Sequence, residues 1–542
     1  MANKRILDVV DSPADLKLLT DDELSILARE IREQIITTTS KTGGHVASSL
    51  GAVEIILAVH SLLNCPEDKF IFDVGHQSYA HKLVTGRRDR FDTLRTFHGI
   101  SGFPKPSESE YDVHASGHAS DSLSIAVGLA KARALSGGTN KIVALIGDAA
   151  LGGGMAFEAL NYIGQAQLPM VIILNDNEMS ISRNVGALMK HLGYLRTSSS
   201  YRTTRDRVQE AMEQSGALGS ALMHFGRNAK ESMKQFVIPH SMIFEQLGIV
   251  CTTPVDGHNI HELKEMLSTC LAADGPVLMH VVTKKGAGYG PAMAEPTRFH
   301  GTGPYDIATG KAIKKPAKAP SYTSVFGEAL LNEARADERI VAITAAMESG
   351  TGLIAFEKEF PDRFIDVGIC EENAAGMAAG LAIGGRKPVF AVYSTFLQRA
   401  IDQLIVNNAL MNLDVVFAID RAGLVGADGP THHGMFDLVY TRMVPNMRVL
   451  APSNEAELVN SLHTALALGG PFAVRYPRGE ACGVPVPDKP ETYEPGVSRL
   501  VREGSDVAIL AFGNMVEPAN EAAAVLEEAG LSVRVVDMRW VK

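Results

Sequence analysis

The stretch from Lys141 to Asn184, KIVALIGDAALGGGMAFEALNYIGQAQLPMVIILNDNEMSISRN, decides the fold. A short apolar and β-branched run at Ile142–Ile146 predicts a buried parallel strand, and Met170–Leu174 predicts the next one. A glycine-rich turn and a helical segment around Met155–Ile163 lie between them. The pattern therefore predicts an α/β fold, in which ligands bind at the carboxyl ends of the strands.

Both predicted strands end in oxygen-bearing side chains. Asp148 follows the first strand, and Asn177 follows the second. Carboxylate and amide oxygens suit Mg²⁺ that protein and phosphate hold jointly. Gly147 and the run 152–154 let the backbone approach a phosphate, and the next helix points N–H groups at it. The alternative is an ordinary turn in which Asp148 caps a helix. A dinucleotide site is less well supported, because no G-x-G-x-x-G follows the strand.

At these residues the chain resembles the thiamine diphosphate enzymes, whose metal motif is G-D-G with an asparagine further along. MAFEALN at 155–161 and LNDNEMSISRN at 174–184 are similar to the 1-deoxy-D-xylulose-5-phosphate synthase family. The resemblance implies that Mg²⁺ is held by Asp148, Asn177 and the backbone carbonyl of Met179. It also places Gly147, Ala149 and Ala150 at the cofactor.

Ala149 departs from the family motif, which has glycine at this position. If this residue needs a left-handed backbone, alanine costs about 1–2 kcal/mol. If it does not, we expect the change to be nearly silent.

Composition limits the classes of protein to consider. A length of 542 residues predicts two to four domains. The net charge of −11 and the lack of a basic block argue against nucleic acid and anionic membranes as partners. The sequence shows neither an apolar run of about eighteen residues nor a signal-peptide pattern. Five scattered cysteines without C-x-x-C predict reduced thiols in a cytoplasmic protein.

Three histidines lie beside glycines at predicted element ends: His45, His76 and His118. Each alone could be structural or exposed, but three in the same context predict a polar pocket that binds phosphate or moves protons. The synthase family has matching segments around cofactor and substrate. The resemblance thus places His76, Gly117, His118 and Ala119 at the cofactor, although the family has serine at the position of Ala119.

A basic glycine-bearing loop at Thr283–Tyr289 follows another predicted strand. Lys285 could reach a diphosphate, although an isolated lysine is usually solvated surface. The resemblance places Lys285, Tyr289 and His300 near the cofactor. Residues 184–240 lack periodic strands and predict a mobile helical excursion, either a lid or a surface insertion without function.

Beyond residue 321, alternating strands and helices predict a second parallel sheet. Glu371 follows a strand end and on its own could simply serve a helix dipole. By resemblance Glu371 bonds to N1′ of the aminopyrimidine, favouring the imino tautomer that removes the C2 proton. Glu372 and Asn373 stand where the family has glutamine and histidine.

The segment Ala391–Gln403 is nearly the family text. The resemblance places Phe396 against the aminopyrimidine face and Arg399 at the cofactor. Arginine binds phosphate in a fork geometry. By resemblance the residues on the phosphate of glyceraldehyde 3-phosphate are Tyr393, Arg421 and Arg478. The further candidates for catalysis, chiefly by proton transfer, are His45, His300, His432 and Asp428.

The resemblance extends from about residue 8 to Lys542. It implies two thiamine-diphosphate-binding parallel-sheet domains and a C-terminal transketolase-like α/β domain, which we expect to be truncated at Lys542. The predicted boundaries are 1–310 for the first domain, 311–320 for a linker, 321–485 for the second domain, 486–497 for another linker and 498–542 for the third domain.

The implied activity depends on thiamine diphosphate and Mg²⁺. In the implied reaction, pyruvate and D-glyceraldehyde 3-phosphate condense to 1-deoxy-D-xylulose 5-phosphate and CO₂, the first step of the non-mevalonate isoprenoid precursor pathway. The resemblance also implies that the protein is a cytoplasmic homodimer. One alternative is a transketolase or a related enzyme with another donor or acceptor, as the changes at Ala119, Ala149, Glu372 and Asn373 would allow. The other is a non-catalytic paralogue, against which Asp148, Asn177 and Glu371 argue.

Overall fold

A computed structural model describes residues 5–177, 185–187, 242–313, 316–426 and 428–542. The chain divides into two compact units, Met1–Ile313 and Lys314–Lys542. Met179 and the predicted excursion at 184–240 lie outside the described residues, apart from 185–187.

The described strands of the first unit form one parallel sheet. Their order is β1-β2-β3-β6-β4, and β5 also pairs with β6. The strands are β1 Lys69–Phe72, β2 Ile142–Gly147, β3 Met170–Asp176, β4 Val250–Cys251, β5 Val255–Asp256 and β6 Pro276–Val282. All seven residues of β3 are buried, which is typical of a parallel strand covered on both faces.

The helices of this unit cover the sheet. Those described are α1 Pro13–Leu16, α2 Asp21–Thr42, α3 Val46–Gly51, α4 Val53–Leu62, α5 Tyr79–Lys82, α6 Ser122–Ser136, α7 Asp148–Leu151, α8 Gly154–Ala166, α9 Met242–Gln246, α10 Ile260–Leu271 and α11 Gly290–Ala294. Helix α2 begins with a capping box, in which Thr20 and Glu23 bond to each other's backbone N–H.

The second unit contains a parallel sheet of order β11-β12-β10-β9-β7-β8 and a smaller sheet of order β13-β15-β14. Its strands are β7 Ile340–Thr344, β8 Phe364–Asp366, β9 Lys387–Tyr393, β10 Val416–Asp420, β11 Arg448–Leu450, β12 Phe472–Arg475, β13 Arg499–Arg502, β14 Val507–Ala511 and β15 Val533–Asp537. Its helices are α12 Tyr322–Ala336, α13 Ile354–Glu359, α14 Glu371–Ile383, α15 Ser394–Leu397, α16 Ile401–Gln403, α17 Asp437–Met443, α18 Glu455–Leu468 and α19 Val516–Glu528.

Buried carboxylates connect the end of β15 in the small sheet to the loop and helix that follow β11. Arg539 donates to both oxygens of Glu457 at 2.8 and 3.0 Å, and Ser453 donates to Asp537 at 2.7 Å. Glu457 and Asp537 are buried, and an unpaired buried carboxylate would lower the stability of the fold. The ion pair and the hydrogen bond avoid this loss. In the described part of the chain, no helix has the length and apolar character needed to cross a membrane.

Candidate active site

Strands β2 and β3 place two buried carboxylates at one edge of the first sheet. Gly147 pairs with Asn175, so Asp148 and Asp176 follow at adjacent strand ends. Burial and the charge of Asp176 raise the pKa of Asp148 to about 7, although N–H groups of Ala149 and Asn177 oppose this shift. Two close buried carboxylates repel each other unless a proton or a cation compensates them. A divalent cation would compensate this pair, so the arrangement is compatible with the predicted role of Asp148 and Asn177 as Mg²⁺ ligands.

Ala149 lies inside helix α7, and its backbone is not left-handed. The penalty considered for alanine at this position therefore does not arise. The N–H of Ala149 donates to Oδ1 of Asp148 at 2.9 Å, so the residue also orients the carboxylate. Ala150, the next residue of the helix, is buried.

The predicted loop Gly117–Ala119 packs directly against the glycine-rich turn. Oγ of Ser120 donates to the carbonyl of Ala150 at 2.7 Å, and the N–H of Ser120 donates to Asp73 at 2.8 Å. A Cβ on Gly153 would lie 2.2 Å from Oγ of Ser120, so only glycine permits this approach. The structure therefore brings the segment with His118 beside the segment with Asp148.

Three of the predicted histidines form a cluster in the first unit. The ring centroids are 5.8 Å apart for His45 and His76, 6.0 Å for His45 and His300, and 5.1 Å for His76 and His300. Burial and the nearby charge of Lys285 lower the pKa of His300 well below its usual range, so this imidazole is neutral near pH 7. Nζ of Lys285 donates to Nδ1 of His300 at 3.2 Å, which leaves the proton of the neutral ring on Nε2.

Lys285 is buried, with only 8% of its surface exposed, and is not the solvated surface residue of the alternative interpretation. Burial lowers its pKa to about 8, while the charge of Asp148 acts in the opposite direction. A buried cation near a carboxylate edge suits an anionic ligand such as a diphosphate. Tyr289 ends the same loop, and its hydroxyl donates to the carbonyl of Ile307 at 2.8 Å.

In the second unit, Glu371 is the first residue of α14 and is buried, with 2% exposed. Burial raises its pKa to about 7, although the charge of Arg399 opposes this shift. The nearest guanidinium nitrogen of Arg399 is 3.6 Å from Oε2, and this oxygen makes no hydrogen bond to any described residue. A buried carboxyl that exchanges its proton near neutrality fits a partner that is a ring nitrogen, as in an aminopyrimidine.

The predicted phosphate residues lie together at the carboxyl ends of β9, β10 and β12. The guanidinium of Arg421 stacks 3.8 Å from the ring centroid of Tyr393. Arg478 donates to Asp428 at 3.0 Å, and Arg421 lies 3.9 Å from the same oxygen. Burial raises the pKa of Tyr393 to about 12, so its hydroxyl remains a donor. Two arginines therefore face the carboxylate of Asp428, with Tyr393 stacked on one of them, and a phosphate would compete with Asp428 for the arginines.

Phe396 and His432 adjoin this cluster. The ring of Phe396 stacks on Tyr393 at 5.6 Å and meets the edge of His432 at 5.6 Å. Glu372 is half-buried and Asn373 is exposed, so these two departures from the family text are more accessible than Glu371.

Sequence reasoning missed three aspartates that close apolar strands. Asp176 accompanies Asp148, Asp73 accepts hydrogen bonds from Ser120 and Ser122, and Asp420 accepts from Arg421 and Thr323. The signal was present, because each is an acidic residue directly after a buried strand or at its last position.

Comparisons with known proteins cover both units. A family model described as 1-deoxy-D-xylulose-5-phosphate synthase matches residues 7–283, the transketolase pyrimidine-binding domain matches 318–483, and the transketolase C-terminal domain matches 496–542. A 1-deoxy-D-xylulose-5-phosphate synthase of Syntrophomonas wolfei is 50% identical over 99% of the chain and 84% of its own length. Two synthases of Geobacter sulfurreducens are 50% and 53% identical over 99% of the chain, covering 84% and 86% of their own lengths.

Proposed function

Because the chain belongs to the 1-deoxy-D-xylulose-5-phosphate synthase family, we propose that it condenses pyruvate with D-glyceraldehyde 3-phosphate to give 1-deoxy-D-xylulose 5-phosphate and CO₂. The observation that carries the proposal is the match to synthases along 99% of the chain. The same relatives do not favour the transketolase alternative. The chain is thus a thiamine diphosphate-dependent transferase of the isoprenoid precursor pathway.

The donor sets of both units fit the cofactor. When bound, thiamine diphosphate supplies the electron sink for the decarboxylation of pyruvate. Asp148, Asn177 and the carbonyl of Met179 would hold Mg²⁺, because a cation would compensate the paired carboxylates of Asp148 and Asp176. Lys285 would neutralise diphosphate oxygens, while Glu371 would share its proton with the aminopyrimidine.

The remaining residues would act on the substrates. Arg421, Arg478 and Tyr393 would bind the phosphate of the aldehyde, with Asp428 holding the two arginines when no phosphate is present. Neutral His300 can donate through Nε2 in the reaction, and His45 and His432 are the other candidates for holding or moving a proton.

The setting of the reaction is part of the proposal. We propose a cytoplasmic homodimer of three domains with the boundaries predicted above and no nucleic-acid or membrane partner. The net charge of −11 supports the lack of nucleic-acid and membrane partners, and the reduced state expected of five scattered cysteines supports the cytoplasm. Sedimentation equilibrium on the purified chain would test it, since a monomer mass would contradict the homodimer.

The activity is tested by release of CO₂ from pyruvate with thiamine diphosphate and Mg²⁺, with and without glyceraldehyde 3-phosphate. Binding of the cofactor is verified first by equilibrium dialysis. The proposal expects release to increase strongly with the aldehyde and 1-deoxy-D-xylulose 5-phosphate to form. A chain loaded with cofactor that releases no CO₂ would contradict the proposed function.

A further inference from the structure

The loop after β6 is held on both sides of Lys285 by side chains from distant segments. The N–H of Lys284 donates to Nε2 of His258 at 2.9 Å. The carbonyl of Ala287 accepts from Nε of Arg32 at 3.0 Å. Two side chains from outside the loop therefore anchor the backbone that carries Lys285, together with the N–H of Gly286, which donates to the carbonyl of Ala47 at 2.8 Å.

Arg32 reaches this loop from α2 and is itself fixed by Glu54 on α4. Both terminal nitrogens of the guanidinium donate to the carboxylate at 2.6 Å, and one also donates to the carbonyl of Leu50 at 3.0 Å. Only 9% of Arg32 and 6% of Glu54 is exposed. A bidentate pair in such surroundings is rigid, and removing either partner would leave a buried charge unpaired.

His258 connects the same carboxylate to the other side of the loop. Because Nε2 accepts from a backbone N–H, the proton of the neutral ring must lie on Nδ1. Nδ1 is 3.2 Å from Oε2 of Glu54, and so it donates to the carboxylate. Burial alone would raise the pKa of Glu54, but hydrogen bonds from His258 and Arg32 keep it below its ordinary value.

One ionised carboxylate thus connects both side-chain anchors of the loop. Lysine is a point charge on a flexible stem, so the reach of Nζ depends on where its Cα is held. Nζ of Lys285 lies 3.2 Å from Nδ1 of His300. Burial lowers the pKa of Lys285, and the charge of Asp148 acts in the opposite direction. A displaced loop would move this ammonium within the group of residues proposed to bind the diphosphate.

We infer that Arg32, Glu54 and His258 are positioning residues, which hold the ammonium of Lys285 where it can bind a diphosphate. This inference rests on the proposed function. None of the three needs to touch the cofactor, because each acts through the backbone of residues 284–287.

The experiment measures the Kd of thiamine diphosphate at saturating Mg²⁺ by equilibrium dialysis. His258→Ala should raise this Kd at least about tenfold, which is about 1.4 kcal/mol. His258→Gln should recover most of the affinity, because its amide can accept from Lys284 and donate to Glu54. His261→Ala is the matched control, since the side chain of His261 is 64% exposed and pairs with Asp21 and Glu265.

A double-mutant cycle separates positioning from general destabilisation. If His258 acts through Lys285, then His258→Ala should cause little further loss of affinity in a Lys285→Gln background. Equal losses in both backgrounds would overturn the inference, as would an unchanged Kd with Lys285 intact. If His258→Ala does not fold, His258→Asn takes its place under the same criteria, because its shorter amide cannot span both partners.

The cycle does not depend on turnover. A chain that binds thiamine diphosphate normally but forms no 1-deoxy-D-xylulose 5-phosphate would contradict the proposed function and leave the inference testable. An active chain in which His258→Ala binds cofactor as tightly as wild type would contradict the inference and leave the proposed function intact.

Discussion

Replacing Glu371 with glutamine should stabilise the cofactor-free chain while abolishing its turnover. Burial raises the pKa of Glu371 from an ordinary value of 4.5 to about 7. Each tenfold change in proton affinity is worth about 1.4 kcal/mol, so ionising this carboxyl costs the folded chain about 3 kcal/mol. Glutamine has nearly the same shape and never ionises, and so it avoids this cost.

The raised pKa of Glu371 makes the free energy of unfolding depend on pH. The folded chain binds this proton more tightly than the unfolded chain does, so stability falls as pH rises from about 4.5 through about 7. The full loss is present at pH 8, where Glu371→Gln should exceed wild type by about 3 kcal/mol. At pH 5 most of the carboxyl is still protonated when folded, and the difference should be below about 1 kcal/mol.

The assay is denaturant unfolding of the cofactor-free chain at both pH values, followed by turnover with bound thiamine diphosphate. Glu372→Gln is the matched control, because it makes the same change one residue along the helix at a half-buried position. Equal stability of Glu371→Gln and wild type at pH 8 would refute the argument from burial. A near-normal turnover rate would remove Glu371 from the mechanism.

Three further predictions concern the other candidate residues. Gly153→Ala should destabilise the chain by about 1–3 kcal/mol and weaken cofactor binding, because its Cβ would lie 2.2 Å from Oγ of Ser120. Gly154→Ala should have neither effect, because no described atom beyond its own helix and its adjacent residues lies within 4 Å of the added Cβ. Thermal unfolding compares the stability of the two variants. Ala149→Gly should change Mg²⁺ affinity by no more than about tenfold, since the backbone is helical there, and a much larger gain in a metal titration would show an impaired native site. Arg421→Ala should raise the KM for glyceraldehyde 3-phosphate at least about tenfold and leave the KM for pyruvate nearly unchanged, because a charged hydrogen bond to phosphate is lost. Steady-state kinetics with each substrate varied test this, and an equal rise in the two KM values would contradict it.

Most of the parallel strands could be predicted because they are apolar runs with turn residues at their ends. The sequence predicts strands at Ile340–Thr344 and at Pro276–Val282, and the structure confirms both with these bounds. Strand β3 extends past the predicted Leu174 to Asp176, since the polar residues continue to pair with β6. Strand β13 was missed because its sequence, RLVR, is short and charged and pairs antiparallel. The apolar pattern also predicts one helix over 14–40, whereas the structure has two, Pro13–Leu16 and Asp21–Thr42, although the Thr20–Glu23 capping box is visible in the sequence.

The candidate site could be predicted only where a short motif contains its own chemistry. A strand followed by Gly147 and Asp148 indicates a ligand-binding site at the carboxyl end of that strand without any knowledge of the rest of the chain. The three residues that anchor the lysine loop gave no such signal, because Arg32, Glu54 and His258 come from separate segments and meet only through packing. The burial of a residue could not be predicted for the same reason, since the low exposure of Lys285 depends on the tertiary fold and not on its neighbours in sequence.

Three of the ten described residues other than glycine with positive φ bond within 2.8 Å to an aspartate at the end of a strand. Ser120, Ala346 and Arg421 have left-handed φ values of 74°, 58° and 58°, a conformation that costs a residue other than glycine about 1–2 kcal/mol. In each case the N–H of the strained residue donates to a buried or half-buried aspartate, namely Asp73, Asp366 and Asp420 respectively, at 2.6–2.8 Å. Burial raises the pKa of all three aspartates, so these carboxylates are themselves costly to keep. The loops of Ser120 and Arg421 lie beside Asp148 and Tyr393, where we propose that cofactor and substrate bind, so the strain and the costly carboxylates there fit a function that needs these two loops in place.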